Sequence, residues 1–243
     1  MATYILIPGA GGSGWYWHLL VGELRRRGHD AVAVDLPADD DAAGLSEYAD
    51  AVVDAIGERT HLVMVAQSFG AFTAPLVCHR AQVDLLVLLN AMVPAPGESA
   101  GQWWTATGHA QARADDAARH GRPVSTDVNL LEDFFHDIPP ELTAEAMGER
   151  ASHQSATPFA QPWPLNRWPG VPTRFLQGRD DRFFPLEFQR QIAQERLGLR
   201  PEEMPGGHLL ALSRPRELAD RLEAGRTSGT PVAPRGSRHE RDR

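Results

Sequence analysis

Five short, mostly apolar runs punctuate the chain: Tyr4 to Ile7, Ala31 to Val34, Leu62 to Ala66, Leu85 to Leu89 and Thr173 to Leu176. They do not alternate with polar residues, so they predict strands buried on both faces, as in a parallel sheet. Between the first two, Trp15 to Arg27 has helical spacing. Leu20 and Leu24 lie one turn apart, Arg25 to Arg27 suit the negative end of a helix, and Gly28 terminates it. Between the next two, Ser46 is placed to cap a helix carrying Ala49, Val52, Val53 and Ile56, which stops at Gly57. Strand and helix in alternation predict the α/β class, with a doubly wound, mostly parallel sheet.

The alternation fails from Pro94 to Trp168, a stretch rich in Trp, Pro, His and Gln with helix-like parts near Gln102 to His120 and Pro140 to Ser152. It reads as an insertion over the sheet edge, after the fourth predicted strand. The pattern then returns with a helix near Leu186 to Leu197, a short strand near Glu203 and a helix after Ser213. These boundaries divide the chain into a core of residues 1–93 and 169–225, an insertion of 94–168, and a Gly-, Pro-, Ser- and Arg-rich tail of 226–243 expected to be disordered.

Composition narrows the chemistry. The 243 residues carry a net charge of -8, and all 24 basic residues are Arg, because the chain contains no Lys. A phosphate-binding Walker Lys, a Schiff-base Lys and a Tyr/Lys oxidoreductase pair are therefore impossible. The acidic balance argues against nucleic acid as a partner. Cys78 is the single cysteine, which leaves no disulfide framework and no CxxC site; burial on a helix is its expected place. The N-terminus lacks signal-peptide character and no apolar run reaches membrane-spanning length, so a cytoplasmic location without membrane association is expected. No HxxxH or His/Asp spacing suggests a metal site, and His18 and His61 are read as structural.

Two motifs have competing uses. Gly9-Ala10-Gly11-Gly12-Ser13-Gly14 fits the GxGxxG fingerprint of a dinucleotide loop, and Asp35 ends the next strand where a ribose-binding acid would sit. The bulky Trp15, Tyr16 and Trp17 and the missing hydride-transfer machinery favour a loop whose backbone amides hold an oxyanion, with a plain tight strand-to-helix turn as the third reading. The chain also contains one full GxSxG, around Ser99, and one near match, Ala66-Gln67-Ser68-Phe69-Gly70. A nucleophile elbow needs a strand entering and a helix leaving. Ser99 follows Pro94 and Pro96 in a loop, whereas Ser68 directly follows a strand and precedes the apolar Phe69 to Val77. Context ranks Ser68 first and makes Ser99 a solvated chance match.

Asp180 and Asp181 stand just past the strand ending at Leu176, and His208 follows the last short strand. A serine hydroxyl becomes nucleophilic when an imidazole takes its proton, and the imidazole needs a carboxylate to fix its tautomer. Serine, acid and histidine in this order, each after a strand, supply those three groups at the edge where α/β proteins bind ligands.

Over about residues 3 to 224 the chain resembles the α/β-hydrolase superfamily, in particular its small plant-type methylesterases and their hydroxynitrile-lyase relatives. Ile5 to Trp17 is similar to the HGxxxxxxW opening of that branch, with Pro8 in place of the usual His. The resemblance implies Ala10 and Phe69 as the oxyanion-hole amides. Its Gly-x-x-Asp-x-x-x-Pro pattern falls on Gly178, Asp181 and Pro185, which selects Asp181 over Asp180 and leaves Asp180 as a turn residue. The lyases of the branch place a Lys after the catalytic His, where this chain has Leu209, and epoxide hydrolases and dehalogenases place Asp at the elbow. The insertion would be a helical cap, with Gly11, Trp103, Trp104, Phe134, Phe135, His136, Phe159 and Trp163 as candidates to touch the substrate.

The expected function is thus a serine hydrolase that cleaves a small or medium carboxylic ester through an acyl-enzyme, with Ser68, His208 and Asp181 as its triad and no cofactor or metal. A thioester, lactone or C–C bond is the alternative substrate on the same machinery. A non-catalytic small-molecule receptor and a dinucleotide-dependent oxidoreductase are the alternatives from other classes.

Overall fold

The computed structural model describes residues 1–125, 127–148 and 153–227. The chain runs β1 (Thr3–Ile7), a 3-10 turn (Gly14–Trp17), α1 (His18–Arg26), β2 (Asp30–Ala33), α2 (Leu45–Ile56), β3 (Leu62–Gln67), α3 (Gly70–Val77) and β4 (Val83–Leu89). Five short helices follow: α4 (Ala100–Ala106), α5 (His109–Arg119), α6 (Leu130–Asp133), α7 (Pro140–Met147) and α8 (Thr157–Ala160). The alternation then resumes with β5 (Thr173–Gly178), α9 (Leu186–Leu197), β6 (Glu202–Met204), α10 (Leu210–Ser213) and α11 (Pro215–Thr227).

All six strands are parallel, in the order β2-β1-β3-β4-β5-β6. The apolar runs of the central strands serve two cores at once, because successive side chains leave a strand on opposite faces. Ile5 and Ile7, Met64 and Ala66, and Leu86 and Leu88 join a core with Tyr48 and Val52 of α2, Phe72 of α3 and Phe188 and Ile192 of α9. Tyr4 and Leu6, Val63 and Val65, and Val87 and Leu89 join a second core with Leu20 and Leu24 of α1 and Leu218 and Leu222 of α11. Each fully buried Leu or Ile contributes roughly 1.5 to 3 kcal/mol. A one-residue slip would exchange the two sets, so the register is strongly specified.

Three local expectations need correction. α2 begins at Leu45, not after Ser46: Gly44 N donates to Glu47 Oε2 at 2.8 Å and Leu45 N to Gln161 Oε1 at 2.8 Å. Gln161 lies 116 residues away in sequence, and a Cβ on Gly44 would overlap its carboxamide. The stretch 102–120 is two helices rather than one. Thr107 Oγ1 donates to the Trp103 carbonyl at 2.7 Å, and Gly108 at φ 68° turns the chain between α4 and α5. Ser99 is buried and caps α4: Gln102 N donates to its Oγ at 3.2 Å while Gln102 Oε1 accepts from Ser99 N at 3.0 Å. It is a helix cap, not a solvated loop residue. The helical backbone of α11 continues to Thr227, and the rest of the expected tail, like residues 149–152 of the stretch ending at Ser152, lies outside the described residues.

Candidate active site

The strand order reverses direction between β1 and β3, and at such a switch point the loops at the carboxyl ends part to leave a crevice. The glycine loop follows β1 and Ser68 follows β3, so both fall at this point. Ser68 is held at φ 52°, a left-handed conformation that costs a non-glycine residue on the order of 1 kcal/mol. The Ser68 amide donates to the Leu89 carbonyl at 3.1 Å, and its carbonyl accepts from Met92 N at 3.0 Å. The turn tolerates nothing larger around it. A Cβ on Gly70 would meet the Pro8 carbonyl oxygen at 2.6 Å, and one on Gly9 would press on Ser68 Cβ at 3.0 Å.

Asp181 lies in the turn after β5, with its side chain fully buried. Its Oδ1 accepts from the amides of Phe183 at 2.9 Å and Phe184 at 2.8 Å, and its Oδ2 accepts from His208 Nδ1 at 2.8 Å. Three donors thus compensate one buried carboxylate and fix its direction. Phe134, Phe183 and Phe184 meet the His208 ring edge to face, with centroids 5.0, 5.5 and 5.1 Å away. Asp180 is spent on the backbone: its Oδ2 accepts from Gly206 N at 2.8 Å, in keeping with a turn role.

Ser68 and His208 border one cavity of about 220 Å³. Ala10 and Phe69 border it too, together with Trp104, Phe134, Phe135 and Phe159 of the expected lining. The other four candidates are elsewhere. Trp103 and Trp163 are core residues, whose indoles donate to the carbonyls of Val93 at 3.0 Å and Phe72 at 3.1 Å. Gly11 turns its amide to Gln154 Oε1 at 2.8 Å, and His136 packs under the Gly207 turn. Tyr16, Met92, Leu130, Phe183 and Leu209 line the cavity although the sequence did not propose them as its lining. Tyr16 lies in the Ile5 to Trp17 opening, and Phe183 and Leu209 neighbour Asp181 and His208; Met92 and Leu130 carry no motif. Burial raises the Tyr16 phenol above its ordinary value, so it stays neutral.

The groups a dinucleotide would need are otherwise engaged. Asp35 Oδ1 accepts from Gly14 N at 2.7 Å, Gly12 N donates to Gly9 O at 3.1 Å, and Ser13 Oγ accepts from Trp15 N at 3.3 Å. The acid expected near a ribose instead closes the turn after β1. Burial pushes the Cys78 thiol up to about 12 and keeps it protonated. Among the described residues no cluster of three His, Cys, Asp or Glu side chains could hold a metal ion, and no helix is long and apolar enough to cross a membrane.

Residues 4–221 match the Alpha/beta hydrolase family. Among curated proteins, the chain is 28% identical to "Probable esterase PIR7A" of Oryza sativa subsp. indica, over 90% of this chain and 94% of that protein. It is also 28% identical to "Methylesterase 18" of Arabidopsis thaliana, over 39% of this chain and 40% of that protein. Among solved structures, a pyrethroid hydrolase from Sphingobium faniae JZ-2 superposes with a TM-score of 0.71 at 22% identity, covering 94% of this chain and 98% of that one. Polyneuridine aldehyde esterase superposes with a TM-score of 0.72 at 19% identity, covering 93% and 99%. At these identities the two structures speak for the fold.

Proposed function

Starting from a chain that belongs to the alpha/beta hydrolase family and is a hydrolase, we propose that it cleaves a small or medium carboxylic ester through an acyl-enzyme on Ser68. One observation carries this reading: a serine in a left-handed turn borders the same largely apolar cavity as His208, whose Nδ1 is held by the buried Asp181. His208 Nε2 takes the Ser68 proton as Oγ attacks the ester carbonyl. Asp181 holds the opposite ring nitrogen and stabilises the imidazolium. The amides of Ala10 and Phe69 receive the oxyanion, and His208 returns its proton to the departing alcohol. Water, deprotonated by the same imidazole, then attacks the acyl-enzyme and releases the acid, restoring Ser68.

The walls suit a neutral substrate. His208 is the one titratable nitrogen on them, and Tyr16 stays protonated. Excluding water with aromatic rings strengthens each interaction with the developing charge. Leu209 beside His208 offers no ammonium group to stabilise a leaving cyanide, which separates this cavity from the lyase chemistry of similar proteins. We assign residues 94–168 the role of a cap that selects the acyl or alcohol group. Thioesters and lactones pass through the same tetrahedral intermediate, and a panel of leaving groups ranks them.

The test is turnover of p-nitrophenyl acetate combined with labelling by a fluorophosphonate probe. The probe is expected on Ser68 alone, and Ser68→Ala is expected to lower kcat by roughly 10⁴- to 10⁶-fold. An adduct on Ser99, or parental turnover by Ser68→Ala, refutes the nucleophile.

A further inference from the structure

The loop that presents His208 belongs to no strand or helix, yet side chains hold its peptide groups from three directions. Gly206 N donates to Asp180 Oδ2 at 2.8 Å, and Gly207 N donates to Asp137 Oδ2 at 2.7 Å. From beneath, Asn90 Nδ2 donates to both the Gly207 carbonyl at 3.0 Å and the His208 carbonyl at 2.9 Å. The other end of the same carboxamide, Oδ1, accepts from Gly178 N at 2.8 Å, three residues before Asp181. The Asn90 amide also donates to Leu176 O at 3.0 Å. One side chain with no exposed surface therefore ties the loop of the base to the strand end of the acid.

Asn90 sits at φ 44°, outside the range most side chains tolerate. Asparagine is among the few residues that accept this backbone conformation, and it provides a donor and an acceptor on one short stem. A carboxylate of the same shape would turn an acceptor towards two carbonyl oxygens. An apolar isostere would take the side-chain partner from Gly178 N and the Gly207 carbonyl and leave the His208 carbonyl with only the 3.3 Å bond from Gln67 Nε2. The carboxamide also has no proton to lose near neutral pH, so its hold on the loop does not change as His208 cycles between its protonation states.

We propose that Asn90 is a positioning residue of the hydrolysis, setting the spacing and orientation of His208 against Asp181. This rests on the serine hydrolase reading of the site. It predicts a defect in the chemical step and in the His208–Asp181 contact, beyond any loss of stability.

Two variants test it. Asn90→Gly adopts φ 44° without steric cost and deletes all three side-chain bonds. Asn90→Asp keeps the shape and the acceptor for Gly178 N but loses the donor to the two carbonyls. Leu24→Ala, in the second core on α1, serves as a destabilised control away from the site. With p-nitrophenyl acetate, both Asn90 variants are expected to lose roughly 10²-fold in kcat with KM within about threefold of the parent. Proton NMR is expected to show the low-field His208 Nδ1 proton in the parent and in Leu24→Ala, and its loss to exchange in the Asn90 variants. Parental kcat with an intact low-field proton in a folded Asn90 variant overturns the proposal, as does a proportionate kcat loss in Leu24→Ala. Should Asn90→Gly fail to fold, Asn90→Asp decides by the same criteria. Should the parent hydrolyse no ester, the serine reading falls, while the NMR comparison still decides whether Asn90 holds His208 on Asp181.

Discussion

The floor and the walls of the cavity are held by different forces. On the floor lie Ser68 and His208, backed by Asn90 and Asp181; all four are buried near strand ends, two of them in left-handed backbone, and directional hydrogen bonds tie Asn90 and Asp181 to His208. The walls come largely from the segment between β4 and β5: Trp104, Leu130, Phe134, Phe135 and Phe159, on or beside helices of four to seven residues. Stacked and edge-on rings hold them, such as Phe159 over Phe69 at 4.1 Å, and Leu130 and Leu131 remain half exposed. Hydrogen bonds fix angles and distances to tenths of an ångström, as a proton transfer requires. Apolar packing is non-directional and tolerates changes of shape. A floor of the first kind and walls of the second separate what the site does from what it accepts.

The largest expected effect strikes the floor. Asp181→Asn should lower kcat by roughly 10³- to 10⁴-fold, because the amide can present a donor to His208 Nδ1 and enforce the wrong tautomer. Asp180→Asn, which alters one bond to Gly206 N, should cost less than about tenfold. Equal losses in the two kcat values would erase the distinction between holding the base and holding its loop.

Next comes a residue packed behind the walls, whose burial has a pH signature. His109 packs between Trp104 and Phe183 and its Nε2 donates to the Phe183 carbonyl at 2.7 Å. Burial pushes its pKa down to about 4, with the Arg113 guanidinium adding to the effect. In the unfolded chain the value returns to about 6.5, so between these pH values the unfolded state binds the extra proton. The contribution is therefore fully present above pH 6.5 and is lost as the pH falls towards 4, amounting to about 3 kcal/mol. His109→Gln keeps a donor and removes the titration. Urea unfolding at pH 7 and pH 4.5 should show a smaller acid loss in the variant, and identical losses would refute the assignment.

A smaller effect falls on Ser99. Its removal in Ser99→Ala should lower stability by about 1 kcal/mol, the usual worth of a helix cap, with kcat within a few-fold of the parent. A loss of activity without a loss of stability would bring Ser99 back as a site residue. The smallest effect belongs to the rim. Leu130→Ala should raise KM for a hexanoate ester about two- to fivefold and leave kcat and the acetate KM unchanged, since a half-exposed side chain gives up little apolar contact. A matching fall in kcat would mean that the walls also take part in the chemistry.

The strands were legible in the sequence because burial on both faces requires an unbroken apolar run, and each run was followed by residues that could only be turns. Ser68, Asp181 and His208 were candidates because each stands within a few residues of a strand's end, which places it at the carboxyl edge of the sheet, although His208 follows the short Glu202–Met204 strand and not an apolar run. That Ser68 and His208 border one cavity, with Asp181 bonded to His208, depends on the strand order, which is a matter of pairing between distant segments. The wall residues were harder to sort. Trp103 and Trp104 are adjacent and identical in type, yet one is core and the other faces the cavity, because an aromatic ring gains the same free energy from a neighbouring side chain as from an apolar ligand.

The start of α2 shows the limit most plainly. Ser46 is the better local cap, but Gln161 arrives from the far side of the insertion, bonds Leu45 N and leaves room only for a glycine at position 44. Asn90 is a similar case: nothing near it in the chain marks it, and its three partners come from residues 88 to 118 positions away. Periodicity and turn chemistry are local and were decided by the sequence itself. Which side chain satisfies a distant backbone group, and which ring faces a cavity rather than a core, was decided only when the sheet brought those segments within hydrogen-bond and van der Waals range.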